Sequence, residues 1–413
     1  MSHIRTITYG GDPGWPIDRP RMAEAGRIAR EVKAALEHAG FTVQTTRFAS
    51  RPFGDLVAPD DVVSFAHELQ ARGLANGFDF VTIGPARPSD PPESFRVIPD
   101  ALAGTTAAFA SAIVADPSIG VDVAAVQMTA AIIHRCANIG TDGFGNLRFA
   151  ALANVPPGIP FLPAAYHDGG APAIGLGIEG ATAAAQACTE ASTLEEAGEL
   201  IVARIEIETR RMTTAVERVL ARTEVHFGGI DYSLAPYPEA ARSMGTALER
   251  LTGGRAGEAG TLAAAAWLAS TIDQAACPRT GFSGLFLPVF EDAVLAARAA
   301  EGVLTIADLL LYSTVCGAGL DTVPLPGDIT AAELGSILMD VATLALRLDK
   351  PLTARLMPIP GRRAGDEVSF DSPYFAPSRV MAPRSPGMGG LLNAATRVMV
   401  RPRLSRDRSR PAS

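Results

Sequence analysis

Little in this chain is suited to cross-linking, to a bilayer or to a nucleic acid. Its cysteines, Cys136, Cys188, Cys277 and Cys316, stand far apart with no Cys-x-x-Cys pair. In a reducing compartment they read as free thiols and not as a disulfide or zinc framework. No window approaches the roughly 20 apolar residues that a membrane-spanning helix needs. The start, MSHIRTITYGGD, lacks the apolar stretch and cleavage pattern of a signal peptide. A cytoplasmic protein with no membrane partner is therefore expected. Charged residues make up 19% against 47% hydrophobic ones, with 40 glycines and 31 prolines spread along the chain. That balance excludes a disordered chain and describes a loop-rich globular one. The formal net charge is −8, yet residues 397–413 hold six arginines against Asp407, a local balance of +5, so the preceding body carries −13. Such a body repels nucleic acid. Nucleotide motifs are missing as well: there is no GxxxxGK[ST], and GLGIEG at 175–180 does not supply GxGxxG ahead of a βαβ crossover.

What is present is an alternation of apolar runs. Residues 4–9 read as a strand, 21–39 as a helix, 41–48 as a strand, 59–75 as a helix and 78–84 as a buried strand. Strand, helix and strand follow at 105–115, 121–136 and 147–154. A Pro- and Gly-rich loop, 154–179, is too apolar for a free linker; it reads as a structured loop at the mouth of the fold that ends in a strand at 173–178. Helices at 194–222, 239–251 and 261–276, a strand at 227–236 and a strand-like FSGLFLPVFED come next. Helices at 306–316 and 331–348 and a strand at 352–359 complete the pattern. An α/β architecture with helix-covered strands is the reading. Alanine-rich helical faces suit a homo-oligomer, with a homodimer first.

One stretch organises the rest: YSTVCGAGLDTVPLPGD, residues 312–328, reads as a loop stiffened by Pro324 and Pro326 and freed by Gly317 and Gly319. It holds Cys316, Asp321 and Asp328 close together. Cys316 is either a nucleophile or acid–base group with a lowered pKa, or a buried inert thiol. Asp231, Glu291, Asp292, Asp321 and Asp328 fall at strand or loop ends. Carboxylates meeting there would bind Mg²⁺ or Ca²⁺, with Asp231, Glu291, Asp292 and Asp328 as the metal set; the alternative is helix caps, with Asp328 just ahead of one helix and Glu291 and Asp292 in the first turn of another. His167, in AAYHDGG, is the histidine best placed for proton transfer. Arg148 and Asn154 flank a strand, where a guanidinium could fork onto a substrate carboxylate or sit in an internal ion pair.

The stretches NLRFAALANVPPGIPFLPAAYH, FGGIDYSLAPYP, GFSGLFLPVFED, VCGAGLDTVPLPGD and LTARLMPIPGRRAGDEVSFDSPYF resemble the domain-of-unknown-function 711 family. That resemblance implies a ten-stranded α/β barrel like that of pyruvate formate-lyase, spanning residues 1–381, with Cys316 on an inner finger loop. The arginine-rich segment 382–413 then reads as a flexible C-terminal addition. Glycyl-radical chemistry is not expected. Arg379 and Val380 are followed by Met381 and Ala382 in place of the required glycine, and Ala318 occupies the glutamate place of a Cys-x-Glu pair. The functional expectation is a non-radical lyase or isomerase acting on a small polar, carboxylate-bearing metabolite. Cys316, His167 and Asp321 are its catalytic residues, and Arg148, Asn154, Asp231 and Glu291 bind substrate. The alternative is a metabolite-binding regulator without catalysis.

Overall fold

Short apolar runs separated by amphipathic helices assemble into one sheet in the computed structural model, which describes residues 2–140 and 143–402. β1 (His3–Gly10) leads to α1 (Arg19–His38), β2 (Val43–Ala49) to α2 (Val62–Ala75), and β3 (Phe80–Ala86) to the short α3 (Pro92–Arg96) and α4 (Ile98–Ala103). β4 (Ala108–Asp116) turns through β5 (Gly120–Asp122) into α5 (Val123–Cys136), and β6 (Phe149–Ala153) ends the series. These helices form where the sequence caps them. Asp18 accepts from the backbone of Arg21, Pro20 occupies the first turn of α1, and Met22, Ile28, Val32 and Leu36 make a buried stripe.

The second half brings β7 (Ala173–Glu179), α6 (Ala181–Glu190), α7 (Leu194–Leu220), β8 (His226–Asp231), α8 (Met244–Thr252) and α9 (Thr261–Gln274). It continues with α10 (Ala293–Ala300), α11 (Ile306–Tyr312), β9 (Gly319–Pro326), α12 (Ala331–Leu348) and β10 (Leu352–Ile359). The main path of the sheet is β8-β7-β1-β2-β3-β4-β6-β10-β9. β1, β2, β3, β4 and β6 are mutually parallel. The pair β7-β8 joins β1 antiparallel, and the pair β10-β9 joins β6 antiparallel. The expected α/β architecture with a mostly parallel, helix-flanked sheet is thus present, whereas the ladder of regular strands is open between β8 and β9.

Two expectations are corrected here. Residues 319–326, read from sequence as part of a loop, form the fully buried β9. Pro324 and Pro326 are tolerated because β9 has a regular neighbour, β10, on one side only. The apolar run at 282–292, read as strand-like, forms no regular strand: Leu285 makes an isolated bridge with Leu234, and Arg279 just ahead of the run bridges Ile230. Pro288 and the left-handed Ser283 interrupt it.

Both faces of the sheet are apolar. One meets the helices through a core that includes Ile4, Ile7, Phe65, Val126, Leu320 and Val323. The other meets the loop after β6, through Val155, Ile159, Phe161 and Ala164 packed against Ala150, Phe286 and Ala318. Thr8 Oγ1 donates to the Pro160 carbonyl (2.6 Å) and the His167 N–H to the Ser50 carbonyl (3.0 Å), which ties this loop across the inner face. Beyond β10 a small hairpin forms from β11 (Glu367–Val368) and β12 (Ser378–Arg379), followed by α13 (Gly390–Ala394) and β13 (Arg397–Val398), which pairs with β5. The described part of the arginine-rich segment therefore lies along α5 and α12. Gln127 contacts Asn393, and Arg347 donates to the Arg401 carbonyl. Residues 403–413 lie outside the described residues.

Candidate functional site

Two irregularities in the sheet place charged side chains on its inner face. Between Ile4 and Thr6 the β1-β7 register slips by one residue, and Arg5 is the extra one. Between Leu320 and Val323 the β9-β10 register slips likewise, so that Asp321 and Thr322 together oppose Arg355. In an unbroken strand Leu320 and Val323 would face opposite sides, yet both pack into the helix-facing core. The bulge resolves this and turns Asp321 inward. Thr322 carries the cost: it sits at φ 44°, an uncommon conformation for a β-branched residue.

The inward charges form an alternating row. Arg242 pairs with Glu179. Glu179 is also met by Arg5 (3.2 Å), whose Nη1 donates to Glu291 (3.2 Å) and whose Nη2 donates to the Pro236 carbonyl (2.7 Å). Arg355 completes the row, donating from Nη2 to Glu291 (2.7 Å) and from Nε to Asp321 Oδ1 (2.6 Å). Three arginines face three carboxylates, so the row is neutral. Asp321 Oδ2 accepts no hydrogen bond among the described residues. The two acids that share Arg355 are driven apart. Burial, chiefly, with the charge of Glu291 adding and Arg355 opposing, raises the Asp321 pKa above the usual carboxylate value. Burial also pushes Glu291 up, but Arg355 and Arg5 together outweigh it and hold Glu291 below its usual value.

Next to this row Arg47, on β2, stands apart. Its Nε donates to Thr45 Oγ1 (3.0 Å) and its guanidinium carbon lies 5.8 Å from the centre of the Phe80 ring, but no carboxylate pairs with it among the described residues. Burial, with Arg5 and Arg355 adding to it, pushes its pKa down to about 9 against the pull of Glu291 and Asp79. Arg5, Arg47, Glu291, Asp321 and Arg355 all line one cavity of about 640 Å³, whose remaining wall mixes aromatic rings, among them Phe80, Phe109, Phe161, Phe282 and Phe286, with small apolar and polar side chains. That size is within the range of small-molecule sites.

Residues 2–375 match the family described as Uncharacterised ACR (DUF711). The chain belongs to that family. Within it, a UPF0210 protein of Pyrobaculum arsenaticum is 31% identical over 369 residues, 85% of this chain and 80% of the relative. UPF0210 proteins of Methanococcoides burtonii (31%; 84% of this chain, 80% of the relative) and Neisseria meningitidis (30%; 80% and 77%) are similar to it as well.

Of the residues that sequence reasoning selected in this DUF711 chain, Asp321, Glu291 and Arg148 line the cavity and the others do not. Arg148 is already engaged: its two terminal nitrogens donate to the Leu102, Thr105 and Ala108 carbonyls, so neither expected role, substrate fork or internal ion pair, describes it. Cys316 lies in the short connection between α11 and β9, with its side chain buried in the helix-facing core and not in the cavity; Lys350 donates to its backbone carbonyl. His167 uses both ring nitrogens locally, Nδ1 accepting from Gly169 N–H (3.0 Å) and Nε2 lying 3.1 Å from the Ala171 carbonyl. Asn154, at φ 54°, bonds to Asp349 (3.3 Å). The suggested metal set is not gathered. Asp231 accepts from Ser233 Oγ and the N–H groups of Phe282 and Ser283, and burial pushes its pKa up to about 6 despite them. Asp292 caps α10 and binds the start of α8 through Ser243 and Met244. Asp328 is exposed, and the cap of α12 is Thr330, boxed with Glu333. Among the described residues no group of three or more His, Cys, Asp or Glu is placed to hold a metal ion, so Asp231, Glu291, Asp292 and Asp328 do not form the expected ligand set. Sequence reasoning missed Arg5, Arg47, Glu179 and Arg355. The available signal was a charged residue inside an apolar strand pattern, as in IRTITY and LTARLMPI.

Proposed function

We propose that this protein is a non-radical acid–base enzyme, of the lyase or isomerase type, acting on a carboxylate-bearing metabolite held in the cavity. The observation that carries the reading is the joint presence around one cavity of Arg47, a cation without a paired carboxylate among the described residues, and Asp321, a carboxyl of raised proton affinity with a free oxygen. Arg47 fixes the substrate carboxylate. Asp321 Oδ2 takes a proton from the adjacent carbon, and the electron pair moves toward the carboxylate, where Arg47 stabilises the developing charge. Asp321 then returns the proton in an isomerisation, or a leaving group departs in an elimination. Glu291 stays ionised, balances Arg5 and Arg355, and maintains the raised proton affinity of its neighbour. Cys316 and His167 have no part in this scheme, because neither lines the cavity.

The fold proposed to hold this site is a ten-stranded ring. Residues 279–290 would be the irregular tenth member, parallel to β8 by the bridges above. They are linked to β9 by Val289 N–H to the Asp321 carbonyl (3.1 Å) and to the segment just before it by Gly317 N–H to the Leu285 carbonyl (2.9 Å). Free cysteines at all four positions agree with a cytoplasmic setting, and no helix among the described residues is long and apolar enough to cross a membrane.

Incubating the protein with a panel of carboxylic acids in D₂O and reading deuterium uptake beside the carboxylate by NMR tests the chemistry directly. The wild type should exchange at least one acid, and Asp321→Asn should slow that exchange by about 10²–10⁴-fold while ligand-induced thermal stabilisation persists. The charge balance of the Arg242-to-Asp321 row favours a second reading, a metabolite-binding regulator, since its acids are already paired without a substrate. Carboxylates that stabilise the fold but never exchange would select that reading.

A further inference from the structure

Resting on the anion site just proposed, we infer that its ligand is a monocarboxylate with a flat, apolar body, an arylalkyl carboxylate, and not a small polar acid or a diacid. Charge sets the first half of this. The Arg242-to-Asp321 row is neutral by itself, and the donors of Arg148 are taken by backbone carbonyls at the end of α4. Arg47 is the one guanidinium on the wall, among the described residues, with neither a carboxylate nor a set of carbonyls to meet it. Asp79 and Asp371 also line the wall, but neither pairs with Arg47 among the described residues, so its remaining N–H groups are left for one anionic group. A second carboxylate would face Glu291 and Asp321 with no cation left to receive it.

The shape and lining of the cavity set the second half. A volume of about 640 Å³ corresponds to on the order of 20 water molecules at their liquid volume. A four-carbon acid would leave most of that space wet against phenylalanine. Phe161 and Phe286 stand 4.9 Å apart, Phe282 leans edge-on against Phe286 at 5.5 Å, and Phe80 meets Phe109 edge-on at 5.4 Å. Each cluster offers ring faces and edges to a further ring. Phe80 also carries the Arg47 guanidinium, so an anion docked there starts at the foot of an aromatic wall.

Isothermal titration of the full chain at fixed ionic strength, with phenylacetate, 3-phenylpropanoate, succinate and phenylacetamide, tests this. Either aryl acid should bind about 10-fold or more tightly than succinate, the expected return for burying a phenyl ring. Phenylacetamide should bind about 10-fold more weakly than phenylacetate to the wild type and equally to Arg47→Met, with Arg47→Lys in between. Succinate binding as tightly as the aryl acids, and losing affinity in Arg47→Met, would overturn this inference and leave the anion site intact. Acid binding that is absent, or indifferent to Arg47, would overturn both.

Discussion

On the β9, β10 and β1 side of the cavity each guanidinium meets a carboxylate, whereas on the β2 side Arg47 meets a hydroxyl and a ring. Both sides take arginine from the same kind of position, an inward place on a buried strand. The difference lies in what the neighbours supply. Arg5 and Arg355 connect elements distant in the chain, tying β1, the segment before α10, β9 and β10 into one network, and so belong to the architecture. Arg47 makes no ion pair among the described residues and meets only Thr45 on its own strand and the Phe80 ring, and burial, with the repulsion of Arg5 and Arg355 adding to it, lowers its proton affinity. A protein keeps such a charge where something else will pair with it.

The sharpest way to break this comparison is to truncate one arginine on each side. Arg355→Met leaves Asp321 and Glu291 buried around an absent cation and should cost about 3–5 kcal/mol in urea denaturation. Arg47→Met removes a charge that had no partner, and its stability should stay within about 1 kcal/mol of the wild type. Equal losses would mean that Arg47 is as structural as Arg355. A smaller effect, and one of fixed sign, comes from pH. Asp321 has a folded pKa above its unfolded one, raised by burial first and by Glu291 next. It therefore binds its proton more tightly when folded, and its favourable contribution is full below the unfolded value and lost as pH rises through the folded value. Asp321→Asn removes that loss, so the variant should gain stability relative to the wild type as pH rises above about 4, the ordinary aspartate value. A gap that moves the other way would place Asp321 among the ordinary ion-paired acids.

The strand and helix pattern was legible because its signals are local. Asp18 ahead of Pro20, and Thr330 three residues before Glu333, mark helix starts in the sequence, and the apolar runs mark strands. The curvature and the charged row were not legible in the same way. Nothing in IRTITY says that Arg5 is the extra residue of a bulge, because the slip exists only relative to β7. Nor does GLDTVPLP show that Thr322 takes a left-handed turn that presents Asp321 inward. Asp321 and Glu291, singled out in the sequence as acids at strand or loop ends, do line the cavity. Their shared partner Arg355, 34 residues beyond Asp321, went unseen. Proximity in sequence also misled: Cys316 stands five positions from Asp321, yet the left-handed Gly319 and the start of β9 separate them onto opposite faces of the sheet.

That separation makes the thiol the mildest test. Cys316 is 2% exposed in the helix-facing core, and it is the carbonyl of this residue, not its sulfur, that receives the Lys350 ammonium. A small buried side chain of this kind contributes through packing, so Cys316→Ala should cost about 1 kcal/mol and leave deuterium exchange and carboxylate binding where they were. Measuring both on the same preparation separates packing from chemistry. If the variant kept its unfolding midpoint but lost exchange tenfold, the sulfur would have to reach the cavity, and the line drawn here between architectural and receptive residues would have to move to include α11.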